Sequence, residues 1–524
     1  MKISRLVMLL LVFALLVVGA AQAQDEKVLV VGHAEATDSL DPARGYNQTT
    51  SIIHQATYEG LVTFPKDSAA EILPGLASDW TISEDGLTYT FNLNPAAVFS
   101  SGNPVTAEDV AFSFNRMINV QGQPSSLAST VASVAAVDGQ VVITLTQPDP
   151  SLFAKLAGPG FQVTEAAVVQ ANGGTDAADA STTDTAESWL NSNSAGSGRY
   201  VLESWEPQVQ TVLVRNPNYY GAEPGYYDRI IVVNMPEAAT QKAALESGEI
   251  DLALDITADQ VPSLQSDAGI TVYQGSGNIV HFLLMNANPD VGGPMSDPKV
   301  QQAVRLALDY PGYTTLFGGV TPASVIPVGF LGAYGPDKAL TRDLDAARAL
   351  LAEAGYPDGF ETTLTYPVFT FQGVNMETNA QKVAADLAEV GITVNLNPGE
   401  LQVALEGYRN GLDAFSYWFW GPDFIDPLNY VEFLPGMKVG GTRAQWTDER
   451  ADATILALRD QALVESDPDT RVELFHQIQD YMQQNGPFAP FLQPGVQVAM
   501  ASDVQNYFWH PQWTVDLSIL SSAQ

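Results

Sequence analysis

Asp423 and Asp426 stand three residues apart in the stretch 417–430, YWFWGPDFIDPLNY, with Trp418, Phe419 and Trp420 just before them and Phe424 between. Two neighbouring carboxylates can act as acid and base on a glycosidic bond. A group of rings can exclude water from a bound molecule or stack on a sugar face. The Gly421-Pro422 break keeps the stretch from being one helix or one strand. Among 60 acidic residues, close carboxylates also arise by chance, and Asp426-Pro427 reads equally as a turn or helix cap. No H-E-x-x-H, G-x-S-x-G, P-loop or EF-hand spacing occurs. The five histidines (His33, His54, His281, His476 and His510) are too far apart in sequence to pair as metal ligands on one helix. No catalytic set, metal or cofactor is therefore expected.

The start of the chain bears on where such a site would work. Lys2 and Arg5 precede the thirteen-residue apolar run Leu6 to Val18, and Ala21-Gln22-Ala23 follows. This has the form of a cleaved secretory signal over residues 1–23, and the run is short of the ~20 residues a membrane span requires. With no cysteine anywhere, disulfides, thiolate metal sites and a lipid-modified cysteine are excluded. A periplasmic or secreted protein without a lipid anchor is expected. The formal net charge is −37, and two of its few bases lie in the leader. Such a surface repels nucleic acid and anionic lipid, and its acidity serves solubility. About 500 residues exceed what one core supports, so at least two lobes are expected.

The elements that must position the aspartates are of mixed α/β type. In DWTISEDGLTYTFNL, Trp80 and Ile82 alternate before an Asp85-Gly86 turn, and Leu87, Tyr89, Phe91 and Leu93 alternate after it, predicting a hairpin with one buried face. Thr106 should cap a helix with Glu108 and Asp109 in its first turn. Pro298 opens another helix, with Val300, Val304 and Leu308 on one stripe. FETTLTYP, NAQKVAADLAEVG and ITVNL read as strand, helix and strand, with Val383, Leu387 and Val390 inward and Gly391 as the stop, hence a parallel crossover. LDAARALLAEAG is a helix ending at Gly355. Asp467 and Pro468 start a last one, with Phe475, Ile478 and Met482 inward. The small, polar tract 171–198 is expected to be a surface loop outside the core.

Taken in order, LVVGHAEATDSLDPA, TYEGLV, residues 76–117, GSGRYVLESW, VRNPNYYG, LESGEIDLA, ARALLAEAGYPDGF and WGPDFIDPLNY resemble the extracellular solute-binding proteins, family 5, of ABC importers, the group of dipeptide- and oligopeptide-binding proteins. The resemblance implies an α/β chain with the two-lobed periplasmic-binding-protein fold, type II in its large three-subdomain form, with mixed β-sheets. Lobe I would hold residues 24–275 and 493–524, with a hairpin-helix subdomain at about 60–170, and lobe II residues 276–492. Gly275, Gly277, Pro494 and Gly495 would then lie where the chain crosses between lobes, as hinges or as plain turns.

The implied activity is capture of a peptide, from di- to oligopeptide, and its delivery to ABC permease subunits of the inner membrane, by a monomer that is no enzyme. An oligosaccharide is the alternative ligand, and glycoside hydrolysis a remote alternative. In peptide-binding relatives an aspartate three residues before the Asp-Pro pair holds the ligand's ammonium, and here that position is Asp423. Trp418, Trp420 and Phe424 would form walls. Tyr46, Asn47, Asn278 and Phe371, with Phe369, are contacts by position in the family, each with an ordinary loop or core role as the alternative. Relatives also use basic residues for the ligand's carboxylate, but the corresponding stretch here, VFTFQGVNMETNA, has none. That argues against free dipeptides. Arg199, where the family has proline, and Asn94, where it has a basic residue, depart from the pattern away from the expected cleft.

Overall fold

The structure is a computed structural model that describes residues 26–69 and 71–523; the expected leader lies outside them. Two sheets dominate. The first has seven strands in the order Ile270–Ser276, Gly495–Ala501, Leu252–Ala253, Val28–His33, Arg229–Asn234, Gln210–Arg215 and Tyr200–Glu206. Val28–His33 runs parallel to both of its neighbours, and the other pairs are antiparallel. The second has five strands, Ile392–Gly399, Phe360–Pro367, Phe415–Trp420, Val280–Met285 and Phe488–Leu492. Val280–Met285 is buried at every position. Leu283 and Met285 join one apolar cluster and Phe282 and Leu284 another, so this strand is covered on both faces, which its unbroken apolar sequence requires.

The chain passes from the first sheet to the second at 277–279 and back at 493–494. The two crossings lie side by side. Gly277 N–H donates to the Pro494 carbonyl at 3.0 Å, and Gln493 Nε2 donates to the Gly277 carbonyl at 2.6 Å. A Cβ on Gly277 would stand 2.9 Å from that Pro494 oxygen, so only glycine lets the crossings approach this closely.

The expected hairpin consists of Ala77–Ile82 and Thr88–Leu93, and with Gln140–Leu145 and Val131–Val137 it makes a separate antiparallel sheet. Tyr89 and Phe91 are buried as the alternation requires, but Ile82 is exposed because its strand is the sheet's edge. Thr106 caps the helix Ala107–Val120 in a full capping box with Asp109. The strands Phe360–Pro367 and Ile392–Gly399 pair in parallel in register from Phe360 and Ile392, across the helix Met376–Ala388. That helix begins earlier than the apolar stripe suggests, because Asn375 accepts from Thr378 N–H and caps it.

The tract 171–198 departs from expectation. It forms the short helices Ala180–Thr183 and Glu187–Leu190 and buries Ala180, Ala186, Leu190 and Ala195. Its Asp184 pairs with Arg116, which is 2 % exposed. Arg116 makes two hydrogen bonds to Asp184 and two to Asp41, between 2.7 and 2.8 Å. Small residues allow the tract to lie close against the helix Ala107–Val120, and its polar side chains complete a buried ionic network, so low apolar content did not keep it outside.

Candidate functional site

The strand Phe415–Trp420 turns its even-numbered residues to one face and its odd-numbered residues to the other. Trp418 is 3 % exposed and stacks on Tyr408, centroids 4.4 Å apart. Tyr417 and Phe419 face the opposite cluster, where Phe371 stacks on Phe419 at 4.7 Å and Phe369 packs against both. Trp420 ends the strand, half-buried, and its indole N–H donates to Asn429 Oδ1 at 2.9 Å.

Beyond the Gly421-Pro422 break, residues 423–425 leave the second sheet and dock on the other body. The Tyr46 hydroxyl donates to the Asp423 carbonyl oxygen at 3.0 Å. Lys155, paired with Asp149 at 2.7 Å, lies 4.9 Å from the centroid of Phe424. Ile425 packs against the apolar clusters of both bodies.

The two aspartates have different surroundings. Burial raises the Asp423 carboxyl from its ordinary value, opposed by Lys438, by the Asn429 side chain and by Arg443. Asp426 accepts from Leu428 N–H at 2.8 Å, capping the short helical turn Pro427–Phe433, and pairs with Arg471. Burial raises its carboxyl too, with Arg471 opposing. Asp426 is thus engaged as a cap and an ion pair, while Asp423 has no ion-pair partner within 4.0 Å among the described residues.

Next to this loop lies a cavity of about 720 Å³ between the two bodies. One body lines it with Phe64, Phe153 and Trp509, and the other with Phe330, Ile425 and the Asp426–Arg471 pair. Asn278, at the first crossing, lines it as well and donates to the Pro511 carbonyl. A smaller space that also touches Trp509 is bordered by Asn278, Gln48 and the His33–Asp255 pair. Asn47 spends its side chain at the helix Gln48–Thr57, accepting from Thr50 N–H and donating to the Ala36 carbonyl.

Of the residues expected at the site, Asn278 lines the large cavity. Tyr46, Asp423, Phe424 and Trp420 are not in its lining; they lie on or against the loop that leads to Ile425 and Asp426, which are. Trp418 and Asn47 serve their own elements, and Phe371 sits in an aromatic group on the other face of the strand. Sequence reasoning missed Phe64, Phe330, Trp509 and Arg471. WHPQW, residues 509–513, is an aromatic cluster beside a late proline, a signal of the same kind as the one at 417–430. The others carry no local mark. The described residues contain no group of acidic or histidine side chains able to hold a metal ion, and none of their helices is long and apolar enough to cross a membrane.

Residues 71–440 match the model of the bacterial extracellular solute-binding proteins, family 5 (middle region). The chain is 27 % identical to a protein of Escherichia coli K12 named "Probable D,D-dipeptide-binding periplasmic protein", covering 94 % of this chain and 93 % of that one. It is also 27 % identical to di/tripeptide-binding protein 2 of Pseudomonas aeruginosa, covering 97 % of each. The structure of HbpA2 from Haemophilus parasuis superposes with a TM-score of 0.80 at 26 % identity, covering 95 % of this chain and all of that one.

Proposed function

Because the chain belongs to the bacterial extracellular solute-binding proteins, family 5, we propose that it captures a peptide between two closing lobes and delivers it to the permease of an ABC importer in the inner membrane. The observation that carries this reading is the cavity of about 720 Å³, lined from both bodies, at the foot of two adjacent chain crossings. A ligand there touches both bodies only when they are shut, so it favours the shut form by those extra contacts. Lobe I comprises residues 24–275 and 493–524, and lobe II residues 276–492. Gly277 and Pro494 lie at the joint.

Within the cleft, Asp423 holds the ligand's ammonium. It is half-buried, and a carboxylate gripping a cation away from water makes a charge-assisted hydrogen bond of ~1.5 to 3 kcal/mol. Trp420, Phe64, Phe330 and Trp509 supply apolar wall that tolerates different side chains. The receptor works as a monomer in the periplasm and catalyses nothing. With Asp426 committed to Arg471 and to a helix cap, the two aspartates are not a free acid–base pair.

A thermal-shift screen of di- to pentapeptides against cello- and xylo-oligosaccharides tests the reading. A ligand at a hundred times its dissociation constant adds ~2.7 kcal/mol of stability. Stabilisation by peptides is the expected result. Stabilisation by the sugars alone, or turnover of a chromogenic glycoside, would overturn it.

A further inference from the structure

Four arginines are buried among the described residues: Arg116, Arg305, Arg443 and Arg471. Three have their charge answered. Arg116 is held by Asp41 and Asp184, and Arg471 by Asp426. Arg305 donates to the carbonyls of Gln484, Gly486 and Phe488 and to the Gln302 side chain. Arg443, 8 % exposed, has no carboxylate within 4.0 Å and no carbonyl in hydrogen-bonding geometry among the described residues, and its nitrogens keep some contact with solvent. It has ring faces instead, with its guanidinium 4.6 Å from the Tyr408 centroid and 5.2 Å from that of Trp420. The Tyr408 hydroxyl is buried, with the Arg443 guanidinium as its polar neighbour. A largely buried cation is ordinarily paired with a carboxylate, so an arginine that has only ring faces and a narrow opening to solvent is free to take an anionic partner.

Its position indicates the source. Lys438 and Arg443 are the first and last residues of a π-helical turn, a rare element that tends to mark functional sites. The turn packs so tightly that a Cβ on Gly440 would stand 2.1 Å from the Leu434 carbonyl oxygen. Both cations reach the same ring, with Lys438 Nζ 5.7 Å from the Trp420 centroid. Asn429 Oδ1 ties that ring to the Asp423 backbone, accepting from Trp420 Nε1 and from Asp423 N–H. One rim of the second body thus carries an unpaired carboxylate and an unpaired guanidinium, near enough to feel each other and more than 4.0 Å apart.

We infer that Arg443 is the anchor for a carboxylate of the ligand, seated against Trp420 with Lys438 on its open side. This rests on the peptide reading and narrows it. The ligand is a short zwitterion whose ammonium meets Asp423 and whose carboxylate meets Arg443. The cation absent from 368–380 comes from a different segment, so the sequence argument against free dipeptides does not hold. With both charges held at one rim, the adjoining cavity is left for side chains. The planar guanidinium suits the task, since it donates two parallel hydrogen bonds to a carboxylate.

The test is calorimetric titration of the wild type and Arg443→Gln with Ala-Phe and Ala-Phe-Ala, each as the free acid and as the C-terminal amide. The expected result is that wild type prefers an acid to its amide at least twentyfold, and that Arg443→Gln abolishes the preference while binding the amides within threefold of wild type. Equal binding of acid and amide by the wild type, or equal weakening of both by the substitution, would overturn the inference. If the wild type binds none of the four, the peptide reading fails, and the melting point of the empty protein decides on Arg443 separately. An arginine kept for a ligand leaves the melting point of Arg443→Gln unchanged or raised, and in the wild type alone acetate stabilises more than chloride at equal ionic strength. A fall of 5 °C or more would make Arg443 part of the scaffold and end the inference.

Discussion

The Tyr46 hydroxyl donates to the backbone carbonyl of Asp423, 3.0 Å away and 377 residues later in the chain, joining the two bodies two residues before Ile425, which lines the cavity. Tyr46 follows Gly45 in a turn stapled by Asp38 and Asp41, and Asp423 stands on the loop beyond the central strand of the other sheet. A contact made only when the bodies meet stabilises the shut form and nothing else.

Tyr46→Phe keeps the ring packed against its cluster and removes that one hydrogen bond. A neutral hydrogen bond contributes about 0.5 to 1.5 kcal/mol net. Ligand affinity should therefore fall roughly two- to tenfold, with the melting point of the empty protein nearly unchanged. Titration calorimetry and a thermal melt on the same variant measure both, and a melting point that falls as far as the binding energy would place Tyr46 in the scaffold.

Arg116→Met should be among the most damaging single changes in the first body. It leaves Asp41 and Asp184 with only the partly exposed Arg44, 3.5 and 3.3 Å away, in place of the buried Arg116, and a broken buried pair costs about 3 to 5 kcal/mol. Burial alone would raise Asp184, but the hydrogen bonds and charge of Arg116 hold it below its ordinary value. Its folded pKa is depressed, so its stabilising effect is present at neutral pH and is lost only as pH falls below the ordinary carboxylate range. Denaturant unfolding should show a large difference between wild type and variant at pH 7 and a smaller one at pH 3.

Local signals and long-range packing differed in how far they could be read from the sequence. The Thr106 cap, the Val383 and Leu387 stripe and the Gly391 stop each depend on neighbours within one helix, and each stands where its spacing places it. The tract 171–198 was misread because its burial depends on Arg116, some 68 residues before Asp184, and not on its own hydropathy. The site divides in the same way. Asp423 and Trp420 were proposed from a dense local cluster. Phe64, Phe330, Arg471 and Trp509 come from four separate segments that converge only once both sheets have formed. Nothing around Arg443 in GGTRAQW marks it as a buried cation with no carboxylate beside it among the described residues.

Acid should weaken the fold well above the carboxylate range. Burial lowers His54 and His510 to about 4 and His281 to about 3, so all three are held neutral in the folded chain. Their unfolded forms take up protons near pH 6.5. Each therefore costs stability progressively as pH drops from about 6.5 toward its folded value. His33 has the opposite sign. Burial would lower it, yet Asp255, 2.7 Å away, raises it, so its contribution is complete below pH 6.5 and fades as pH rises through the raised value. Melting points from pH 8 to pH 4 should fall on the acid side. His281→Gln should flatten that fall, and His33→Gln should remove the smaller loss toward pH 8.

Asp423→Ala separates grip from scaffold. The side chain is half-buried with no ion-pair partner within 4.0 Å among the described residues, and its removal should leave the melting point of the empty protein within about a degree. A charge-assisted hydrogen bond to an ammonium contributes about 1.5 to 3 kcal/mol, so a peptide with a free amino terminus should bind roughly ten- to a hundredfold more weakly. Its N-acetylated form should bind wild type and variant alike. Burial raises the Asp423 carboxyl. The grip requires the ionised form, so in the wild type the affinity for the free-amine peptide should begin to fall at a higher pH than an ordinary carboxylate would allow, and the N-acetylated form should show no such dependence. A variant that melts several degrees lower, or that binds both peptides equally less well, would make Asp423 a support of its loop.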